Sequence, residues 1–225
     1  MRISLIIPVY NEAGAIDRCL ANLEAMEGEA EVLFADGGST DGTLEKLAGR
    51  RVIRCPKGRA RQMNEAARQA GGDVLWFSHC DSLLPRDGLG QIAAAVGRGA
   101  RFGCFHIGFD YRGPFMGCNT VLSNLRARLW RIAFGDQGMF MTRALFLQAG
   151  GFPELPIMED YEFSRRMRRA GVPLRLLPGQ IITSGRRYRT GGCPLAVMWR
   201  MFHLRCLYRA GMDIHEIARR YRDVR

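Results

Sequence analysis

Short apolar runs and helically spaced apolar positions take turns along the first half of the chain. Residues 3–7 form a near-continuous apolar run ending at Pro8, which predicts a strand buried on both faces. Residues 13–26 place Ile16, Leu20 and Leu23 at helical spacing. Residues 31–35 predict a second strand, stopped by Asp36-Gly37-Gly38. A helix is predicted over 40–47, with Ser39 as its N-cap and with Asp41 and Glu45 early in it, where the helix dipole favours negative charge. Residues 51–54 predict a third strand, 61–70 a helix ended by Gly71-Gly72, and 73–78 a fourth strand followed at once by His79-Cys80-Asp81.

Strands alternating with helices of about ten residues are the mark of stacked βαβ units and a parallel sheet. In such sheets ligands bind beyond the carboxyl ends of the strands. Three polar clusters fall at those ends: Tyr10-Asn11-Glu12, Asp36-Gly37-Gly38-Ser39 and His79-Cys80-Asp81. On that topology they would converge on one cleft. The second half is less regular, with strands predicted over 102–109 and 138–141 and helices over 119–132, 160–169 and 194–210. No internal repeat, low-complexity tract or linker interrupts it.

A length of 225 residues favours one domain, and 47% apolar with 24% charged residues is the balance of an ordinary globular chain. The seven cysteines are odd in number and contain no C-x-x-C pair, which argues against a disulfide framework and fits a reducing cytoplasm. The first residues turn polar too early for a signal peptide, and no apolar run is long enough for a membrane-spanning helix. The net charge of +11 changes the picture because of its placement. Residues 1–164 hold 18 Lys and Arg against 19 acids, whereas residues 165–225 hold 15 arginines against three acids. That end either meets a polyanionic partner or carries solvated helix faces.

Neither a P-loop nor a G-x-G-x-x-G after the first strand is present, nor a G-x-S-x-G elbow. Acids at strand ends together with basic residues suit a metal–diphosphate site, in which an oxygen-preferring cation is held by one or two carboxylates and by substrate phosphates. Asp81 is placed for that role, and Asp36 for hydrogen bonding a base or a ribose hydroxyl. His79, Cys80, Cys104 and His106 match no zinc-ligand spacing.

Pro8-Val9-Tyr10-Asn11-Glu12, then Asp36-Gly37-Gly38-Ser39-Thr40-Asp41-Gly42-Thr43, then a strand ending in Asp81, resemble family 2 glycosyltransferases of the GT-A fold. Gly135-Asp136-Gln137 and Met158-Glu159-Asp160, with Arg165-Arg166 one turn later, resemble a small bacterial subgroup of that family. The resemblance implies an α/β fold with a mostly parallel central sheet flanked by helices. It places a transferase domain over 1–192, with a nucleotide-binding half over 1–100 and an acceptor-side half over 101–192. A basic helical extension follows over 193–225.

The implied reaction is inverting transfer of a sugar, in particular from a UDP-sugar, to an acceptor hydroxyl, assisted by Mg²⁺ or Mn²⁺. Pro8, Tyr10, Glu12, Asp36 and Gly38 would form the nucleotide pocket and Asp81 the metal ligand. Asp160 would be the general base, supported by Glu159. Asp136 and Gln137 would face the acceptor or the donor sugar. The chain departs from the family at two points: His79 stands where the metal motif has its first acid, and Asn64 follows Met63 where an Arg-Asn pair is common.

His79 is open to three readings: metal ligation, hydrogen bonding to ribose, or packing. Arg59 and Arg61 either hold the diphosphate, for which a planar guanidinium is suited, or start a helix in solvent. Arg186 and Arg187 fall where processive relatives carry a Q-x-x-R-W element, and either clamp a phosphate or belong to a solvated loop. Residues 194–225 read as an interfacial helix near a lipid-linked acceptor on an anionic inner leaflet, or as a helix packed on the domain or on a second copy.

Two other classes compete. The same donor pocket would serve a nucleotide-sugar phosphorylase or hydrolase, and the arginine-rich end a polyanion binder. No nucleic-acid partner is expected, because no recognised motif accompanies the arginines.

Overall fold

The computed structural model describes residues 1–113, 115–190 and 194–221. Its first half follows the alternation of apolar runs closely, with β1 (Ile3–Val9), α1 (Ala13–Glu24), β2 (Glu31–Asp36), α2 (Thr43–Lys46), β3 (Val52–Arg54), α3 (Arg59–Gln69) and β4 (Val74–Phe77). There follow α4 (Gly88–Gly97), β5 (Phe102–Phe109), α5 (Met116–Trp130), a 3₁₀ turn at Gly135–Gln137, β6 (Phe140–Thr142) and α6 (Arg143–Gln148). The chain ends in α7 (Glu159–Arg169), β7 (Arg175–Thr183), α8 (Arg186–Thr190), α9 (Pro194–Arg209) and α10 (Ile214–Arg220).

Among the described residues one seven-stranded sheet runs in the order β3-β2-β1-β4-β6-β5-β7. Strands β1 to β4 pair in parallel, as do β5 and β7, while β6 lies antiparallel to both β4 and β5. Side chains alternate through the sheet, which explains why β1 is apolar at successive positions. Ile6 joins a core with α3, α6 and α7, whereas Leu5, Ile7 and Val9 join a second core with α1 and α4 on the other face. Each fully buried Leu or Ile here contributes roughly 1.5–3 kcal/mol.

One predicted feature needs correction and two unpredicted elements need addition. The helix predicted over 40–47 shortens to α2, because the residues before it are used in loop bonds. Ser39 Oγ accepts the Asn11 N–H at 2.9 Å instead of capping a helix, and Asp41 accepts the Ala13 N–H at 3.0 Å and the Thr43 N–H at 3.1 Å. Helix α4 carries no clear periodic signal, since glycine occupies Gly88, Gly90 and Gly97. Gly88 is required by packing: a Cβ there would stand 2.8 Å from Trp76 Cη2. Strand β7 is interrupted by Pro178-Gly179, which the sheet absorbs as a bulge, with Phe105 opposite Leu177 and His106 opposite Gln180.

Candidate functional site

The loops after β1, β3 and β4 open at the carboxyl edge of the sheet into a cleft of ≈ 1520 Å³, whose other walls come from α5, the 3₁₀ turn, α7, α8, α9 and α10. That exceeds the roughly 300–1,000 Å³ of a pocket for one small ligand, so the cleft has room for two.

One end is built on β1 and the start of α3. Pro8, Val9, Tyr10 and Glu12 line it together with Lys57, Gly58, Arg59 and Gln62. Gln62 is buried and its Nε2 donates to Val9 O and Ala35 O, both at 2.7 Å, which locks the ends of β1 and β2 together. Lys57 Nζ sits 3.9 Å from the centre of the Tyr10 ring, a cation–π contact that holds an ammonium at the cleft wall. Neither Lys57 nor Gln62 was among the sequence candidates. Their signal was present in the polar run from Lys57 to Asn64 following β3.

The middle of the cleft is acidic. Asp81, just beyond β4, places Oδ2 3.0 Å from Arg186 Nη2, and Arg186 also reaches Glu12 Oε1 at 3.4 Å. This guanidinium, carried at the start of α8, thus bridges the loops after β1 and β4. Asp110 positions it by accepting the Gly185 N–H at 2.6 Å. Asp160, in the first turn of α7, accepts the Gly135 N–H on Oδ2 at 2.7 Å. A Cβ at Gly135 would meet His79 Nε2 at 2.9 Å and Asp160 Oδ2 at 3.3 Å, so the His79 ring and the Asp160 carboxylate both press on that glycine. Met158, immediately before α7, takes a left-handed φ of 63°. Such backbone strain in a non-glycine residue is held only by surrounding structure, and it clusters at functional sites.

Asp136 reaches the same space from the 3₁₀ turn. Its Oδ1 is buried with no hydrogen-bond partner among the described residues. Burial pushes its carboxyl up to about 6; Arg126 opposes the shift, and Asp160 adds to it. Arg126 in turn is pushed down to about 10 by burial. It donates to Gln137 Oε1 at 2.7 Å and lies 3.6 Å from the centre of the Phe134 ring, with Arg205 of α9 at 5.4 Å from the same ring.

The other sequence candidates lie elsewhere or are already engaged. Glu159 is buried and pairs with Arg59. Burial raises its carboxyl while Arg59 pulls it back, so the residue anchors an arginine to α7. Gln137 is fully buried and holds its own turn, through Arg126 and the Phe134 N–H. Asn64 faces away from the cleft, its amide closing on the Phe152 backbone at 2.8 and 2.9 Å. Arg61 is exposed and pairs with Glu154 at 3.0 Å, outside the cleft wall. Asp36 is buried and turns back on its own loop, accepting the Gly38 N–H at 2.9 Å and the Ser39 N–H at 3.1 Å, while Gly38 serves the turn with φ +90°. Arg187 lines the cleft and bonds Tyr221 and Met201.

The family model for glycosyl transferase family 2 matches residues 4–143, more than half of the chain. The chain belongs to this family. Among curated relatives, an uncharacterized glycosyltransferase of Bacillus subtilis, YfnE, is 37% identical over 97 residues, 39% of this chain and 25% of its own length. A PGL/p-HBAD biosynthesis glycosyltransferase of Mycobacterium tuberculosis is 34% identical over 105 residues, 42% of this chain and 41% of its own length. The chain thus spans well under half the length of these relatives. Among solved structures, a mannosyltransferase of Pyrobaculum calidifontis in complex with GDP-Man and Mn²⁺ superposes with a TM-score of 0.68 at 22% identity, over 90% of this chain and 61% of that one. S. aureus TarS 1-349 in complex with UDP-GlcNAc gives 0.65 at 21% identity, over 83% of this chain and 59% of that one. The fold is therefore of the GT-A type, a mixed α/β sheet with C-terminal helices added. No helix among the described residues is long and apolar enough to cross a membrane.

Of these two neighbours, the mannosyltransferase is the one described with a divalent cation, Mn²⁺. The described residues contain no group of three or more His, Cys, Asp or Glu side chains able to hold a metal alone. The cleft carboxylate of Asp81 does fit the other mode, in which one carboxylate and the phosphates of a ligand share an oxygen-preferring cation.

Proposed function

We propose that the protein is an inverting glycosyltransferase that moves a sugar from a nucleotide-diphosphate sugar, a UDP-sugar first, to an acceptor hydroxyl. The observation that carries this reading is the convergence of Asp81, Asp136 and Asp160 in a cleft with room for two ligands. The nucleotide would lie along Pro8, Tyr10 and Glu12, and Asp36 would fix the loop beneath it. Lys57, Arg59 and Arg186 would surround the diphosphate with positive charge, and His79 would meet the ribose or the first phosphate. When bound, Mg²⁺ or Mn²⁺ would be held by Asp81 and the donor phosphates and would neutralise charge growing on the leaving diphosphate.

Asp160 takes the acceptor proton. Its Oδ2 is oriented by the Gly135 N–H, and a carboxylate retains lone pairs for a further donor. As the acceptor oxygen bonds to the anomeric carbon, the bond from that carbon to the phosphate oxygen breaks. The electron pair leaves with the diphosphate, and the single displacement inverts the centre. Asp136 would hold an acceptor or sugar hydroxyl, supplying its orphaned Oδ1 with a donor. Glu159 keeps Arg59 beside the site rather than reacting.

The test is chromatography of products from UDP-GlcNAc and GDP-mannose incubated with Mn²⁺ and a mixed acceptor extract. Release of the nucleoside diphosphate that depends on acceptor supports the proposal, with a loss of about 10²–10⁴-fold in Asp160→Asn. Release of sugar 1-phosphate would instead favour a phosphorylase, and turnover unchanged in Asp160→Asn would remove the base from its role.

A further inference from the structure

We infer that the faces of α5 and α9 flanking the cleft mouth dock onto an anionic lipid bilayer, so that the acceptor end of the cleft opens toward the leaflet. Along α5, Leu122, Leu125 and Leu129 follow one another at helical spacing and are all exposed, joined by Val121 and Trp130. Along α9, Leu195, Trp199 and Phe202 repeat the pattern and are exposed as well. Leu122, Trp130, Leu195, Trp199 and Phe202 share the walls of one cleft with Asp136 and Asp160, so the two helices present their apolar side chains around the same opening. Exposed apolar side chains gathered in this way mark an interaction surface.

Charge selects the occupant. Helices α5 and α9 expose Arg128, Arg200 and Arg209, and neither contains an acid. A helix with tryptophan, phenylalanine and leucine beside arginines, too short and too charged to span, is suited to lie in the headgroup region of an anionic leaflet. A second copy of the chain would bring the same three exposed arginines against themselves, which disfavours self-association through this face. The docking stands apart from the transferase reading. Only its purpose, presenting a membrane-held acceptor to Asp160, rests on that reading.

The experiment is co-sedimentation of the full chain with vesicles of phosphatidylcholine alone and of phosphatidylcholine with phosphatidylglycerol, at low and high salt, alongside light scattering for oligomeric state. Leu125 and Leu129 are exposed and lie outside the cleft, so Leu125→Glu/Leu129→Glu keeps the fold and the donor site. The expected result is binding to the anionic vesicles only, weakened by salt and reduced at least about tenfold in the double variant. Nucleotide binding in solution should be the same for both proteins, which separates this outcome from failure of the donor site. Equal sedimentation with and without the anionic lipid, no sedimentation at all, or a dimer broken by the same double variant would overturn the proposal.

Discussion

Replacing Asp136 by asparagine should make the fold's stability depend less steeply on pH. The carboxyl rises from an ordinary 3.8 to about 6 because burial outweighs the pull of Arg126, with Asp160 and Asp81 adding to the rise and Arg59 opposing it. Well below pH 3.8 both the folded and the unfolded chain carry the proton, and ionisation adds no cost. As pH rises, the unfolded chain ionises first, the folded chain holds more protons, and stability falls until the folded group has titrated near pH 6. At 1.36 kcal/mol per unit, a rise of about 2.2 units costs about 3 kcal/mol above that pH. For a chain of this length that corresponds to about 6–12 °C in melting temperature. Asparagine does not ionise, but its amide is equally short of partners and costs about 1–3 kcal/mol at every pH. The informative quantity is therefore the melting temperature of Asp136→Asn minus that of the wild type, measured by calorimetry at pH 4 and pH 7.5. It should rise by several degrees between the two. The same difference at both values would refute the claim that a buried, unpartnered carboxylate sits at this point of the cleft.

Other perturbations have equally definite outcomes. Asn64→Ala removes both bonds to the Phe152 backbone and should cost about 2 kcal/mol in denaturant unfolding while leaving nucleotide affinity unchanged. Gly135→Ala drives a methyl into His79 and Asp160, so kcat should fall at least about tenfold, with the melting temperature shifted far less than in a core variant. Arg186→Met releases Asp81 from a guanidinium 3.0 Å away, and calorimetric titration without nucleotide should show tighter Mn²⁺ binding. The same variant should bind the nucleoside diphosphate more weakly in the absence of metal.

The parallel half of the sheet was legible because β1 and β4 are short, mostly apolar runs, as burial on both faces produces, and because helical patterns alternate with them. Helix α4 escaped because three glycines thin its pattern, and β7 because Pro178-Gly179 divides it. At the site, Asp81 stood out from its place after a strand, whereas Asp160 came only with the resemblance of Met158-Glu159-Asp160 to the family pattern. Asn64 and Gln137 carried the same polar signal, yet their side chains are spent on Phe152 and on Arg126. Sequence does not separate a buried amide that closes a loop from one that meets a ligand. Lys57, Arg126 and Arg205 were missed because what makes them relevant is long-range: the Tyr10 ring for one, and the Phe134 ring for the other two.

On the proposed reading this cleft binds an activated sugar through its nucleotide diphosphate, with Asp81 as the point where metal enters. Titration calorimetry of UDP, GDP, CDP and ADP, each with and without Mn²⁺, into the wild type and Asp81→Ala tests it most directly. One diphosphate should bind, Mn²⁺ should strengthen its binding, and Asp81→Ala should abolish the gain. Absence of binding for all four nucleotides, with and without metal, would contradict it.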